Sequence, residues 1–233
     1  MNKDWSEKNK KVQLLIKKAT LSEGIAGLLS LRDELMAEML SWRDTLKDED
    51  FSAIPYINAK GYHSKTIAYS LWHIFRIEDI VANSLIQGKE QVFFSGGYDK
   101  KTKSPIITTG NELIKEQIAD FSRQLDITAL YEYIKAVKES TDDWLKKIEY
   151  SDLKIRFTAE DKQRLFDLGT VSTDENAAWL IDYWCGKDIK GLILMPFSRH
   201  WIMHIEAALR IKAKIQKKYE YYKIPEASAV FGD

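Results

Sequence analysis

Two of the four histidines in the chain lie four residues apart, at His200 and His204 in the stretch SRHWIMHIEAALRIK. Residues at this spacing lie on the same face of an α-helix, about one turn from each other. The apolar residues Phe197, Trp201 and Ala208 share that face, so both imidazoles are predicted to point into the protein interior. Two inward imidazoles one turn apart can hold a divalent metal from a single helix.

A third histidine, His73, lies in the apolar stretch TIAYSLWHIFRIEDIVANSLI. On a helical wheel it lies at the edge of the inward stripe that contains Leu71, Ile74 and Ile77, and from there it can reach a neighbouring helix. The fourth histidine, His63, precedes this helix and is predicted to be a solvated loop residue.

Buried histidines can also be ordinary core residues that bond to a carbonyl or a carboxylate. Several imidazoles without a shared partner carry a desolvation cost, however, and a divalent cation removes it. The pattern therefore favours a metal site, and neutral imidazoles suit zinc, nickel, copper and iron. The same spacing occurs in the zinc-protease motif H-E-x-x-H, but Trp201 stands where the catalytic glutamate would be, which excludes that mechanism.

The elements that must position these side chains are predicted to be helical throughout. Periodic apolar residues indicate an N-terminal extension at 1–19 and long helices at 20–46, 64–87, 111–148 (broken near Asp126) and 196–219. Helix starts are indicated at Thr20 with Glu23, Ser64, Asp126, Thr158 with Asp161, Ser172 with Glu175, and Pro196. The segment 88–110 is predicted to be a long irregular connection, and 158–186 to contain short helices. We therefore expect an all-α bundle that forms a single domain over 1–233.

The composition disfavours several classes of protein. Hydrophobic residues make up 45% of the 233 residues, which is enough for a sizeable core. Thirty-five basic residues balance thirty-five acidic ones, so nothing predicts nucleic-acid binding. No apolar run is long enough to span a bilayer, and the N-terminus lacks the apolar core of a signal peptide. The single cysteine, Cys185, excludes an intramolecular disulfide, so we expect a cytoplasmic protein without a membrane or nucleic-acid partner.

The two histidine segments, TIAYSLWHIFRIEDIVANSLI and RHWIMHIEAALRIK, resemble the DinB-like superfamily of damage-inducible and thiol-transferase four-helix bundles. The resemblance extends from about Leu21 to Lys218. The histidine segments are its specific part, and the intervening helices match only in order and length. It implies an up-down-down-up four-helix bundle in which 88–110 crosses between the second and third long helices. The segments 1–19 and 158–186 depart from the family pattern and correspond to no family function.

The resemblance also implies that His73, His200 and His204 hold a divalent metal, often nickel or zinc, with solvent completing the site. Catalytic metal sites keep a coordination position open, and a water or thiol that enters there has a lowered pKa. Cys185 is the alternative fourth ligand, but a small buried cysteine is the favoured interpretation. Some relatives use such a site to activate a low-molecular-weight thiol, bacillithiol or mycothiol, and others have no established activity.

Two functions are therefore expected. One is a metal-dependent transferase that joins a small thiol to an electrophilic small molecule, with Phe93, Phe94 and Tyr98 of the segment 88–110 forming an apolar wall for the electrophile. The other is a non-catalytic metal-binding stress or damage-response protein. A homodimer is compatible with both.

Glu78 is the candidate supporting residue because its helical position places a carboxylate on the apolar side of the second long helix. A buried carboxylate needs a partner. That partner is either a basic side chain on another helix or the outer N–H of a ligand histidine, and both interpretations stay open.

Overall fold

The computed structural model describes residues 3–223, and it describes the side-chain surroundings of residues 3–217. The described chain is helical, without β-strands, and its isolated β-bridge joins Arg156 to Asp188. This confirms the predicted all-α class. The helices are α1 (Lys3–Leu15), α2 (Leu21–Thr45), α3 (Ile67–Asp79), α4 (Val92–Ser95), α5 (Tyr98–Lys101), α6 (Glu116–Gln124), α7 (Ile127–Leu145), α8 (Ala159–Asp167), α9 (Trp179–Cys185), α10 (Ile189–Ile193) and α11 (His200–Lys223).

Two π-helical turns adjoin the helices that carry the histidines. One, Ile80–Ile86, continues α3, and the other, Met195–Arg199, leads into α11 with Pro196 in its first turn. Wider turns of this kind change which residues face the core and are frequent at functional sites. Pro196 was predicted at this helix start, and the structure confirms it.

Local capping signals place several helix starts correctly. The Asp126 carboxylate accepts a hydrogen bond from the Ala129 backbone N–H at 3.1 Å, and α7 begins immediately after it. Thr158 and Asp161 form a reciprocal capping box at the start of α8. Both starts were predicted, because a cap is a contact between residues only two or three positions apart.

Three other predicted starts differ in part or in whole from the structure. The helix α2 does begin directly after Thr20, as predicted, but the Thr20 hydroxyl donates to the carbonyl oxygen of Leu15 and forms no capping box with Glu23. Thr66, not Ser64, caps α3 by accepting from the Tyr69 backbone N–H at 3.0 Å. No helix begins at Ser172, and α9 starts only at Trp179.

The buried α3 is the central element of the described chain, since all of its residues are buried. It packs against α7 and α11, α11 also packs against α2, and α2 packs against α7. The N-terminal α1 lies along α2. The apolar core has two parts that meet along α3, and its four largest fully buried side chains are Trp42, Trp72, Trp184 and Trp201.

The segment 88–110 is more ordered than predicted. It contains α4 and α5, both of which pack against α7. The carboxylate of Asp79 anchors the segment by accepting hydrogen bonds from the backbone N–H groups of Val92 and Phe93, each at 2.9 Å. Phe93 is fully buried as a result. The prediction of an irregular connection is therefore corrected.

Within residues 3–223, no helix combines the length and apolar character needed to cross a membrane.

Candidate metal centre

The structure brings His73 of α3 together with His200 and His204 of α11. The ring centroid of His73 lies 5.1 Å from that of His200 and 4.7 Å from that of His204, and the centroids of the His200 and His204 rings are 4.6 Å apart. One nitrogen from each ring can be chosen so that all three lie within 4.8 Å of one another. These are the three histidines that the sequence singled out.

The three rings are buried, with exposed fractions of 5%, 7% and 3% in chain order. Nδ1 of His73 donates to the carbonyl oxygen of Thr109 at 2.9 Å, which sets the tautomer and leaves the Nε2 lone pair available. Nδ1 of His200 and both ring nitrogens of His204 have no hydrogen-bond partner among the described residues. Buried polar atoms are nearly always satisfied, so this donor set fits a bound cation.

Burial also determines the protonation of the cluster. Desolvation lowers the pKa of His73 to about 4, against the opposing effect of its bond to Thr109. Burial first, and the neighbouring histidines second, hold the pKa values of His200 and His204 well below the ordinary histidine value. All three rings are therefore neutral near pH 7, which is the form that binds metal.

A cavity of about 440 Å³ adjoins the three rings. On α3, the lining residues Tyr69, His73 and Ile77 are spaced by four positions. Pro196, His200 and His204, at and just before the start of α11, have the same spacing and also line the cavity. Two tyrosines flank the imidazoles. The ring of Tyr69 stacks on His73 at 5.5 Å, and Tyr62 meets His204 edge-on at 4.7 Å.

The predicted aromatic wall is wrong. Phe93, Phe94 and Tyr98 do not line the cavity, and Phe93 instead packs edge-on against Trp72 and Tyr133 in the core. The wall comes from α9, in the segment 158–186 to which no role was assigned, through Trp179, Leu180, Tyr183 and Trp184. In the sequence, this wall corresponds to the aromatic stretch WLIDYW at residues 179–184. The residues next to it in the sequence do not indicate that it packs near the histidines.

Glu78 is fully buried, as predicted, and its partner is a basic side chain. Its carboxylate accepts from the two terminal guanidinium nitrogens of Arg32 at 2.7 and 3.0 Å and from the indole N–H of Trp201 at 2.8 Å. Arg32 also donates to Asp142 at 2.6 Å. None of the hydrogen bonds described for Glu78 goes to a cluster histidine, so the interpretation as an ion pair between helices holds.

The remaining candidates lie outside the cluster. Nε2 of His63 is 2.8 Å from a guanidinium nitrogen of Arg210. Cys185, half-buried at the end of α9, is neither a member of the histidine group nor a lining residue of the cavity. The described residues thus offer three protein ligands at this centre.

Comparison of the sequence with models of protein families returns no match, and comparison with curated protein sequences returns none either.

Proposed function

We propose that the chain binds one divalent metal, nickel or zinc, through His73, His200 and His204, and that this centre transfers a low-molecular-weight thiol of the bacillithiol type to an electrophilic small molecule. One observation carries the proposal. Three neutral, buried imidazoles from two helices converge with unpaired nitrogens beside a cavity large enough for a small organic molecule.

The chemistry follows from the donor set. A divalent ion held by His73, His200 and His204 would lower the pKa of a small thiol and so supply a thiolate near pH 7. In the transfer, the thiolate sulfur would bond to the electrophilic carbon, the leaving group would depart with its bonding electron pair, and the thiol proton would pass to solvent. The chain's own contribution is to hold the imidazoles neutral, to orient His73 through Thr109, and to shield the reacting atoms from water with Tyr62 and Tyr69.

The proposal includes a DinB-like four-helix bundle. Its support is the pairwise packing of the four long helices, in which α2 contacts α7, α7 contacts α3, α3 contacts α11, and α11 contacts α2. Such a closed ring of neighbours is what a four-helix bundle requires. The histidines also come from the second and fourth of these helices, as the resemblance implies.

Metal content is the first test. Elemental analysis of the purified protein should find about one equivalent of a divalent metal per chain. His204→Ala should remove most of the affinity, because it leaves two ligands and an enlarged cavity. His63→Ala is the matched control, since this histidine lies outside the cluster, and it should retain the metal. Metal retained by the triple variant His73→Ala, His200→Ala, His204→Ala would contradict the assignment.

Thiol transfer is the second test. With bacillithiol and a chlorodinitrobenzene as the electrophile, activity should disappear on chelation, return with nickel or zinc, and be absent in His73→Ala. Cobalt substitution supplies a spectroscopic readout that does not depend on turnover. A bound metal whose cobalt spectrum no thiol perturbs would exclude the transferase and favour a non-catalytic metal-binding stress protein.

A further inference from the structure

The cavity beside the histidines has an unbalanced charge. Its lining includes sixteen residues, of which Lys65 is the one with a formal charge near pH 7, and no aspartate or glutamate is among them. The polar lining groups besides the histidines are Tyr62, Ser64, Tyr69, Asn111 and Tyr183. A divalent ion on the three imidazoles would add two further positive charges to this enclosed space.

Lys65 has no acidic partner in the described part of the chain. Its ammonium group lies 4.7 Å from the centroid of the Tyr69 ring, and none of the ion pairs described for residues 3–217 includes Lys65. Glu112, which follows the lining Asn111, is not itself a lining residue: its Oε1 accepts a hydrogen bond from the hydroxyl of Thr108, and its Oε2 is buried without a hydrogen-bond partner among the described residues. A half-buried lysine without an ion-pair partner, beside a cluster of neutral imidazoles, is a suitable group to bind an anion.

The position of Lys65 is set by the helix that carries the metal ligand. Lys65, Tyr69, His73 and Ile77 are spaced by four residues and all line the cavity, so they form one stripe along α3 and the turn before it. The aromatic ring between the ammonium and the imidazole contacts both of them. A ligand in the cavity can therefore contact both Lys65 and the histidines.

A second part of the lining is aromatic. Trp179 and Tyr183 of α9 line the cavity with ring centroids 5.7 Å apart and ring planes at 77°, so a planar group can lie on the face of one ring and meet the other edge-on. Trp179 is 50% exposed although its indole N–H donates to the carbonyl oxygen of Asn176 at 2.9 Å. A half-exposed tryptophan held by a hydrogen bond offers a fixed aromatic surface at low entropic cost. Such a surface suits a planar apolar group.

We propose that Lys65 is the anion-binding residue of this cavity, and that the small molecule taken there carries a carboxylate or a phosphate group together with a planar apolar body that packs on Trp179 and Tyr183. This inference deepens the proposed function and rests on it for identifying the cavity as the substrate site. The anionic group offsets the repulsion between the ammonium and a metal ion, a repulsion that nothing in the lining relieves.

The test compares three probes of equal body and different charge, naphthoate, naphthyl phosphate and the neutral naphthylmethanol, by isothermal titration calorimetry. The purified protein, with its metal content measured, should bind at least one anionic probe at least about tenfold more tightly than the alcohol. Lys65→Met should remove this preference, and Lys65→Arg should restore most of it. Lys60→Met, at an exposed lysine five residues earlier, is the matched control and should bind like the wild type.

Equal binding of the anionic probes by the wild type and Lys65→Met would overturn the proposal, as would the absence of any preference for an anion in the wild type. Which anion binds more tightly distinguishes a carboxylate ligand from a phosphate ligand. Repeating the titrations after chelation separates the two proposals. If the chelated wild-type protein still prefers the anionic probes to the alcohol, the role of Lys65 is supported even if no metal is found in the protein. If chelation removes this preference from the wild-type protein, the anion binds to the metal and the proposed role of Lys65 is overturned.

Discussion

His73 and Glu78 lie five residues apart on α3, and burial affects them differently because their partners differ. Glu78 faces a guanidinium from α2, so its charge is compensated inside the core. Burial opposes the charge on Arg32, but Glu78 and Asp142 outweigh it and raise the pKa of Arg32 above its ordinary value. His73 has only a neutral carbonyl partner, at Thr109, so the lowest-energy form of its ring is uncharged. The same helix thus carries a buried ion pair and a neutral imidazole.

The replacement Glu78→Gln tests the ion pair. It should lower the free energy of unfolding by about 3 kcal/mol, because Arg32 then stays buried with one of its two carboxylate partners missing. Urea denaturation monitored by circular dichroism measures the change. Metal content should stay at the wild-type level, since none of the hydrogen bonds described for Glu78 goes to a cluster histidine.

The control for this variant is Glu139→Gln, at an exposed position on α7, which should change stability by less than about 0.5 kcal/mol. A similarly small effect of Glu78→Gln would contradict the structural role of the pair. Loss of metal without loss of stability would instead assign Glu78 to the support of the metal site.

At the scale of elements, the wall of the cavity comes from the segment 158–186 and not, as predicted, from the segment 88–110. The segment 88–110 was predicted to cover the site and is instead fastened to the core through Asp79 and Phe93. The segment 158–186, which had no predicted role, supplies α9 as the wall of the cavity. The physical difference is that Asp79 satisfies two backbone N–H groups of α4 and thereby holds its aromatic residues inward.

The replacement Asp79→Asn tests this anchor. An asparagine can accept only through one oxygen, so one of the two bonds to α4 is lost, and the free energy of unfolding should fall by about 2 kcal/mol. Limited proteolysis should cut within 88–110 faster than in the wild type. Glu90→Gln, at an exposed position of the same segment, should leave the cleavage rate unchanged. Equal rates for Asp79→Asn and the wild type would show that the segment is held by other contacts.

For the whole molecule, the histidine cluster joins α3 to α11, and a metal bound there would link the folding of the two helices. Its three imidazoles are neutral when folded, whereas in the unfolded chain they titrate near the ordinary histidine pKa of about 6.5. A cation bound to the three rings would take the place of the missing hydrogen bonds and would add its binding free energy to the stability of the fold. Protons would destabilise the metal-free fold, because the buried imidazoles of the folded chain bind protons more weakly than the exposed imidazoles of the unfolded chain.

The stability of the metal-free protein should therefore fall as the pH falls from about 6.5 to about 4. In this window the unfolded chain binds more protons than the folded one, so the free energy of unfolding rises with pH and is largest above the unfolded-state pKa. The depressed pKa of His73 alone accounts for a loss on the order of 3 kcal/mol. Urea denaturation after chelation, repeated at several pH values, measures the slope.

His204→Gln should make that slope shallower by removing one buried titrating ring, and His63→Gln, outside the cluster, should preserve it. A stability that is independent of pH across this window would show that the three rings are solvated rather than buried.

Local signals were enough to predict much of the fold and the identity of the clustered histidines. The caps at Asp126 and Thr158 and the proline at Pro196 act over two or three residues, and the inward placement of His200 and His204 follows from helical geometry alone. Such contacts depend on covalent neighbours, so no knowledge of other helices is required. The cap of α3 is an exception to this local rule. Thr66 and not Ser64 caps the helix, and the Thr66 hydroxyl also forms a hydrogen bond at 2.6 Å with the hydroxyl of Ser122 on the distant helix α6.

Only the tertiary structure decided what surrounds the histidines. That α9 and not the segment 88–110 forms the cavity wall depends on where two distant segments pack, and that Glu78 meets Arg32 depends on the approach of α2 to α3. A helical wheel likewise does not single out Lys65 as an anion-binding residue, since its lack of an acidic partner depends on every element that lines the cavity. Periodicity specifies the face on which a side chain lies, whereas the neighbour it meets there is set by the packing of the whole chain.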